Sequence, residues 1–261
     1  MGYVVFIGAG PGAADLITVR GAKRLAQADV VLFDALTDPA LRELAPKARW
    51  IHVGKRGFAD STGQATINAL LVKHAGEVAV VVRLKGGDPS VFGRLEEELA
   101  ALAHAGIGCE VVPGVTAALA AAAAAQRPLT RRSSGRSVSL ATAMTRDGSL
   151  HASRTADTEV FYMAGKQLAA LSRRLIAAGW PAHTPVSVVS QAGWPDALHS
   201  DHTVQGLARA TLLHAGRPTI VTVGAGAAPL DASAASASTA AINPQSASAL
   251  DRTLLMPVAK P

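Results

Sequence analysis

The stretch VAVVVRLKGGDPSVFGR, residues 78–94, opens as a β-branched run and closes as a loop dense in Gly, Asp and Pro. The opening VAVVV is uncharged and continuously apolar, the pattern of a strand covered on both faces in a parallel sheet. The loop after it specifies more backbone than a turn requires. Gly86 and Gly87 let main chain approach a ligand with no Cβ in between, and Pro89 stiffens the turn.

Working outward, the same alternation recurs through the first half of the chain. YVVFIGAG (3–10), DVVLFD (29–34), WIHVG (50–54) and CEVVPG (109–114) read as further strands. TVRGAKRLAQA (18–28), DPALRELA (38–45), QATINALLVKHA (64–75) and EEELAALAHAG (96–106) read as helices. Leu95, Leu99 and Leu102 fall at helical spacing, and Gly106 supplies a stop. Strands alternating with helices predict a mostly parallel α/β sheet. After the small-residue helix VTAALAAAAAAQ (115–126), alternation resumes with strands SVSLATA, EVFYMA, PVSVVSQ and PTIVTVGAG, and with helix KQLAALSRRLIAAG. This predicts an N-terminal α/β domain over 1–114, a C-terminal α/β domain over 115–226, and a disordered Ala/Ser-rich tail over 227–261.

Composition limits the function classes. The chain has 261 residues, 49% of them hydrophobic and 4% aromatic, enough for a sizeable core built from Ala, Val, Leu and Ile. No apolar run reaches membrane-spanning length, and the start lacks a basic segment with a cleavage site, so a cytoplasmic protein is expected. The lone Cys109 excludes an intramolecular disulfide and reads as a packed thiol. The formal net charge of +6 invites a nucleic-acid reading. The basic residues are scattered, however, and RPLTRRSSGR (127–136) has no interleaved aromatics for base stacking. A basic cleft for a small polyanion explains the charge as well. HSDH (199–202) lacks a carboxylate cluster and reads as a wet loop, so no metal site is expected.

GAGPGAADL (8–16) nearly matches a dinucleotide fingerprint, with Ala13 in place of the last Gly. Pro11 removes an N–H where a pyrophosphate wants donors. The fragment alone also fits a plain strand-to-helix turn. Asp34 and Lys55 follow strands two and three, at the strand ends where open α/β sheets put ligands.

Taken in order, GAGPGAADL, VGKRG (53–57), RLKGGDPSVFGR, EVVPGVTAA (110–118), PLTRR (128–132) and VFYMA (160–164) resemble the tetrapyrrole methylase family, over roughly residues 3–226. The resemblance implies two α/β domains with mostly parallel or mixed sheets, the class III fold of S-adenosylmethionine-dependent methyltransferases. It also implies a homodimer, with no nucleic-acid or membrane partner. The KGGDP form is similar to that of members that methylate uroporphyrinogen III twice, at C2 and C7, to give precorrin-2 and S-adenosylhomocysteine. It implies cofactor contacts at Pro11, Gly86, Gly87, Asp88, Val91, Thr116, Ala117, Met163 and Ala192. It implies a proton acceptor at Asp34 and a proton donor at Lys55. Arg94, Glu97, Arg132 and Met163 fall on its substrate positions, where guanidinium groups suit the acetate and propionate arms.

The chain departs from the family pattern in places. FGRLEEE (92–98) replaces two glycines, Arg131 adds a cation in PLTRR, ATAM (141–144) stands where VTGH is usual, and VSQAGW (189–194) alters a cofactor wall. Three alternatives stay open: a later precorrin methylase, an NAD-dependent oxidoreductase suggested by GAGPGAADL, and a non-catalytic tetrapyrrole-binding protein suggested by VSQAGW.

Overall fold

The computed structural model describes residues 2–54, 63–144 and 149–230. Residues 1–228 form one compact unit that contains two five-stranded sheets. The first sheet has strands β1 (Tyr3–Gly8), β2 (Val30–Phe33), β3 (Arg49–His52), β4 (Val80–Lys85) and β5 (Cys109–Val112). Their order is β3-β2-β4-β1-β5 and every pairing is parallel. Helices α1 (Val19–Leu25), α2 (Gln64–Glu77) and α3 (Leu95–His104) make its crossovers.

Strand periodicity explains why these segments read as continuously apolar. Val4 and Phe6 of β1 face one way and pack with Leu71 of α2 and Leu102 of α3. Val5 and Ile7 face the other way and pack with Leu25 of α1 and Leu41. Both faces are covered, so both phases of the two-residue repeat must be apolar. Gly106 adopts φ +67°, the left-handed conformation that ends α3.

Helix α4 (Ala117–Ala124) leads to the second sheet. Its strands are β6 (Val138–Thr142), β7 (Thr158–Tyr162), β8 (Pro185–Ser190), β9 (Leu198–Thr203) and β10 (Thr219–Gly224), with α5 (Leu168–Ala177) after β7 and α6 (Ala210–Leu213) before β10. The order is β6-β7-β10-β8-β9, parallel only between β6 and β7. Phe161, Val188 and Val221 pack with Leu168, Leu171 and Leu175 of α5. Val160, Val189 and Ile220, one residue out of phase, pack with Ala118 and Ala121 of α4.

DPALRELA is helical as expected, in the form of a 3-10 helix, Pro39–Leu44. The Asp38 side chain accepts from the Ala40 N–H and Pro39 starts the segment. HSDH is not a wet loop but the middle of β9, an edge strand. Its polar side chains misled the pattern because hydroxyl and imidazole partners replace apolar packing there. His214 is fully buried, with Nδ1 2.8 Å from the Ser190 hydroxyl and Nε2 2.8 Å from the Ser200 hydroxyl. Ser200 also meets His202, and Ser187 meets His199. Burial, then the neighbouring charges, depresses the His214 pKa, and burial is likewise the main cause of the lowered pKa of His202.

Candidate active site

Three loops meet at the carboxyl ends of β1, β4 and β5, where the strand order reverses and open α/β sheets place their ligands. Gly10 and Gly87 form a backbone bridge, with the Gly87 N–H 2.6 Å from the Gly10 carbonyl. A Cβ on Gly8 would lie 2.5 Å from the Gly114 Cα, so only glycine allows this approach. Asp88 ties the loops together. Its Oδ2 accepts from the Gly114 N–H at 2.8 Å and its Oδ1 from the Ser90 N–H at 2.8 Å.

The second sheet supplies the other wall. Tyr162 ends β7, and its hydroxyl lies 2.7 Å from the Thr116 hydroxyl and accepts from the Ala118 N–H at 3.3 Å, at the start of α4. Its ring packs on Phe92 with centroids 4.9 Å apart. Burial raises the Tyr162 pKa, so the phenol keeps its proton at neutral pH. The loop after β8 meets the N-terminal loop: the Ala13 N–H donates to the Gly193 carbonyl at 2.8 Å. These contacts enclose a cleft of about 260 Å³ with a largely apolar lining.

Pro11, Gly86, Gly87, Asp88, Val91, Thr116, Ala117, Met163 and Ala192 all line this one cleft. Sequence reasoning passed over Leu36, Phe92, Tyr162, Gln191, Trp194 and Ile220, which line it too. Tyr162 had a signal, a polar aromatic directly before Met163 at a strand end. Trp194 had one as well, as a large ring in the altered VSQAGW stretch. Among the described residues, five non-glycine residues have positive φ, and four of them, Phe92, Arg94, Met163 and Gln191, line or adjoin the cleft. Such conformations persist where surrounding structure enforces them, and they concentrate at ligand sites.

Asp34, Arg94, Glu97 and Arg132 lie outside the lining. Asp34 is at the end of β2, two residues before Leu36, and its Oδ1 accepts from Arg83 at 2.7 Å. Arg83 is 2% exposed and also donates to Glu98, itself fully buried, at 3.0 Å. Lys85 donates to the other Glu98 oxygen at 2.7 Å. Burial, then the Arg83 charge, lowers the Lys85 pKa, against the opposing pull of Glu98. Arg94 caps α3 in a left-handed conformation, φ +54°, and holds the Glu97 carboxylate through two contacts of 2.7 Å. Both side chains are exposed, as is Arg132 in the turn bridged by Arg131 and Gly135. Lys55 lies outside the described residues. Among the described residues, no group of three or more His, Cys, Asp or Glu is placed to hold a metal ion.

The dinucleotide reading of GAGPG meets a physical obstacle. Gly10 N–H donates to the Gly87 carbonyl and Ala13 N–H to the Gly193 carbonyl, so donors that a pyrophosphate would use already have partners.

Residues 3–208 match the family described as Tetrapyrrole (Corrin/Porphyrin) Methylases. The chain belongs to the tetrapyrrole methylase family. It is 44% identical over 195 residues to a uroporphyrinogen-III C-methyltransferase of Pseudomonas aeruginosa, covering 73% of this chain and 80% of that one. It is 42% identical over 231 residues to a siroheme synthase of Baumannia cicadellinicola, covering 86% of this chain but spanning only half of that relative. A crystal structure of uroporphyrin-III C-methyl transferase from Thermus thermophilus complexed with S-adenyl homocysteine superposes with a TM-score of 0.75 at 32% identity. That match covers 85% of this chain and 97% of the other. The two α/β sheets, one parallel and one mixed, are those of the class III S-adenosylmethionine-dependent methyltransferase fold. Among the described residues, no helix is long and apolar enough to cross a membrane.

Proposed function

We propose that this chain methylates uroporphyrinogen III twice, at C2 and C7, to give precorrin-2 and S-adenosylhomocysteine. The observation that carries the reading is the convergence of nine cofactor-position residues on one cleft from both sheets. The residues fit S-adenosylmethionine. Glycines at 86 and 87 admit close backbone approach, and the largely apolar walls suit an adenosine.

When bound, S-adenosylmethionine supplies a sulfonium methyl within reach of a nucleophilic ring carbon. The protein's contribution is mainly alignment of the two reactants in a site that excludes water. Asp34 accepts the proton lost from the methylated ring carbon, through the oxygen that Arg83 does not hold. Lys55 is the matching proton donor in this reading. Arg94 and Arg132 attract the carboxylate arms of the substrate, Glu97 orients Arg94, and Met163 adjoins both reactants. The first sheet and its loops, 1–114, act as one domain and 115–226 as the second, in a cytoplasmic homodimer; Ala227 is buried and its carbonyl accepts from Arg127, so the tail expected from 227 does not begin there, and residues 231–261 lie outside the described residues. One sheet in each half and the family likeness support that division.

The test is an anaerobic assay with purified protein, S-adenosylmethionine and freshly generated uroporphyrinogen III, followed by mass. Two successive gains of one methyl each are expected. Binding of the tetrapyrrole without methyl gain would mean a non-catalytic binder, and gain only on an already methylated ring would mean a later precorrin methylase.

A further inference from the structure

Four ionisable side chains form a continuous chain, and three of them, Arg83, Lys85 and Glu98, have no task in the methyl-transfer reading. Arg83 and Lys85 point inward from β4, and Glu98 points inward from the first turn of α3. Glu98 Oε1 accepts from Arg83 Nε at 3.0 Å and from Gln64 at 3.2 Å, while Oε2 accepts from Lys85 at 2.7 Å. The far end of the guanidinium, Nη2, reaches Asp34 Oδ1 at 2.7 Å, and Nη1 donates to the Leu84 carbonyl at 3.1 Å. Arg83 is thus fixed by fully buried Glu98 on one side and by main chain on another, and what it presents outward is a single rigid donor. Asp34 is the only member with appreciable exposure, at 29% of its side chain. Its Oδ2 has no hydrogen bond among the described residues.

We infer that Arg83 and Glu98 are positioning residues for methyl transfer: the buried Glu98–Arg83 pair clamps one oxygen of Asp34 and thereby fixes the direction of the other. This rests on the reading of Asp34 as the proton acceptor. A planar guanidinium suits the task because its fork spans two carboxylates in fixed geometry, which an ammonium does not. The same helical turn that sends Glu98 inward carries Glu97 outward, where it holds Arg94. The arm assigned to the substrate and the acceptor assigned to the proton are therefore anchored through adjacent residues.

The test is a double-mutant cycle on the full chain. Arg83→Lys and Glu98→Gln are each made alone and with Asp34→Asn. Turnover and KM for uroporphyrinogen III are measured by mass, S-adenosylhomocysteine affinity by calorimetry, and folding by thermal unfolding. In the parent, each change should lower kcat at least about tenfold, a modest part of what a positioned acid or base contributes. KM and S-adenosylhomocysteine affinity should stay within about twofold, because neither residue lines the cleft. On the Asp34→Asn background the further loss should shrink to less than about twofold. The same fold-loss on both backgrounds, or parental kcat in the variants, overturns the clamp. Near-normal turnover of Asp34→Asn alone overturns the proton-acceptor reading, and the clamp falls with it. Normal kcat in Arg83→Lys beside a slow Asp34→Asn removes only the clamp. If one substitution prevents folding, the other completes the cycle.

Discussion

Two buried polar clusters, one in each sheet, satisfy their groups by different chemistry. Within the first, Arg83, Lys85, Glu98 and Asp34 are held in ion pairs. Within the second, His214, Ser190, Ser200 and His202 are held in hydroxyl–imidazole contacts. The ionic cluster lies at the carboxyl ends of parallel strands, beside the cleft. The hydroxyl–imidazole chain runs from β10's neighbour β8 to the edge strand β9. Ion pairs in a dry interior are rigid and intolerant of losing a partner. Neutral imidazoles between hydroxyls are cheaper to bury, and they titrate in mild acid. The ionic cluster is therefore suited to holding a fixed geometry, whereas the imidazole chain around His214 is a place where acid acts on the fold.

The largest expected effect breaks the ionic side of this contrast. Glu98→Ala takes the buried carboxylate from Lys85 and leaves Arg83 with only Asp34 as an ion-pair partner, and it should cost about 3–5 kcal/mol in denaturant unfolding. A loss below about 1 kcal/mol would mean that water reaches the cluster and that the two regions do not differ as described.

A second comparison lies within the loop that follows β4. Gly87 lines the cleft at φ +70°, where a β-branched residue is strained by roughly 1–2 kcal/mol. Arg94, seven residues on, is exposed and lines no part of the cleft. Gly87→Val should weaken S-adenosylhomocysteine binding by about tenfold or more, the equivalent of that strain. Arg94→Ala should leave binding intact and raise KM for the tetrapyrrole. Equal losses of S-adenosylhomocysteine affinity in both would merge the two halves of the loop into one site.

The smallest effect sharpens the pH contrast. The folded pKa values of His214 and His202 lie below their ordinary value of 6.5 because burial disfavours the imidazolium. Below pH 6.5 the unfolded chain takes up protons that the fold refuses. The stability is therefore present above that pH and is lost as pH falls toward the depressed folded values. The unfolding temperature should drop between pH 7 and about 5.5, and His214→Gln should flatten that drop. An unchanged slope would move the acid sensitivity elsewhere.

Much of the architecture was legible because burial on both faces leaves a mark in composition. VAVVV and YVVFIG are apolar in both phases, the mark of strands covered on both faces. Strand β9 was not legible, since LHSDHT gains its partners from His214 and Ser187, which lie elsewhere in the sequence. The cofactor positions could be carried from ordered motifs because glycine, proline and aspartate keep their roles wherever backbone must approach a ligand. Tyr162 and Trp194 could not, because an aromatic residue at a strand end or in a loop has many uses until its neighbours are known.

By itself, the sequence determined the alternation of strands and helices, the glycine-built loops and the family to which they belong. These depend on local periodicity and on backbone conformations that few residues tolerate. Only the tertiary structure decided that Asp88 ties two loops together, that Tyr162 closes the cleft from the second sheet, and that Arg83 reaches across to Asp34. Those facts depend on which distant side chains share a dry volume, and there the cost of an unpaired polar group selects the partner.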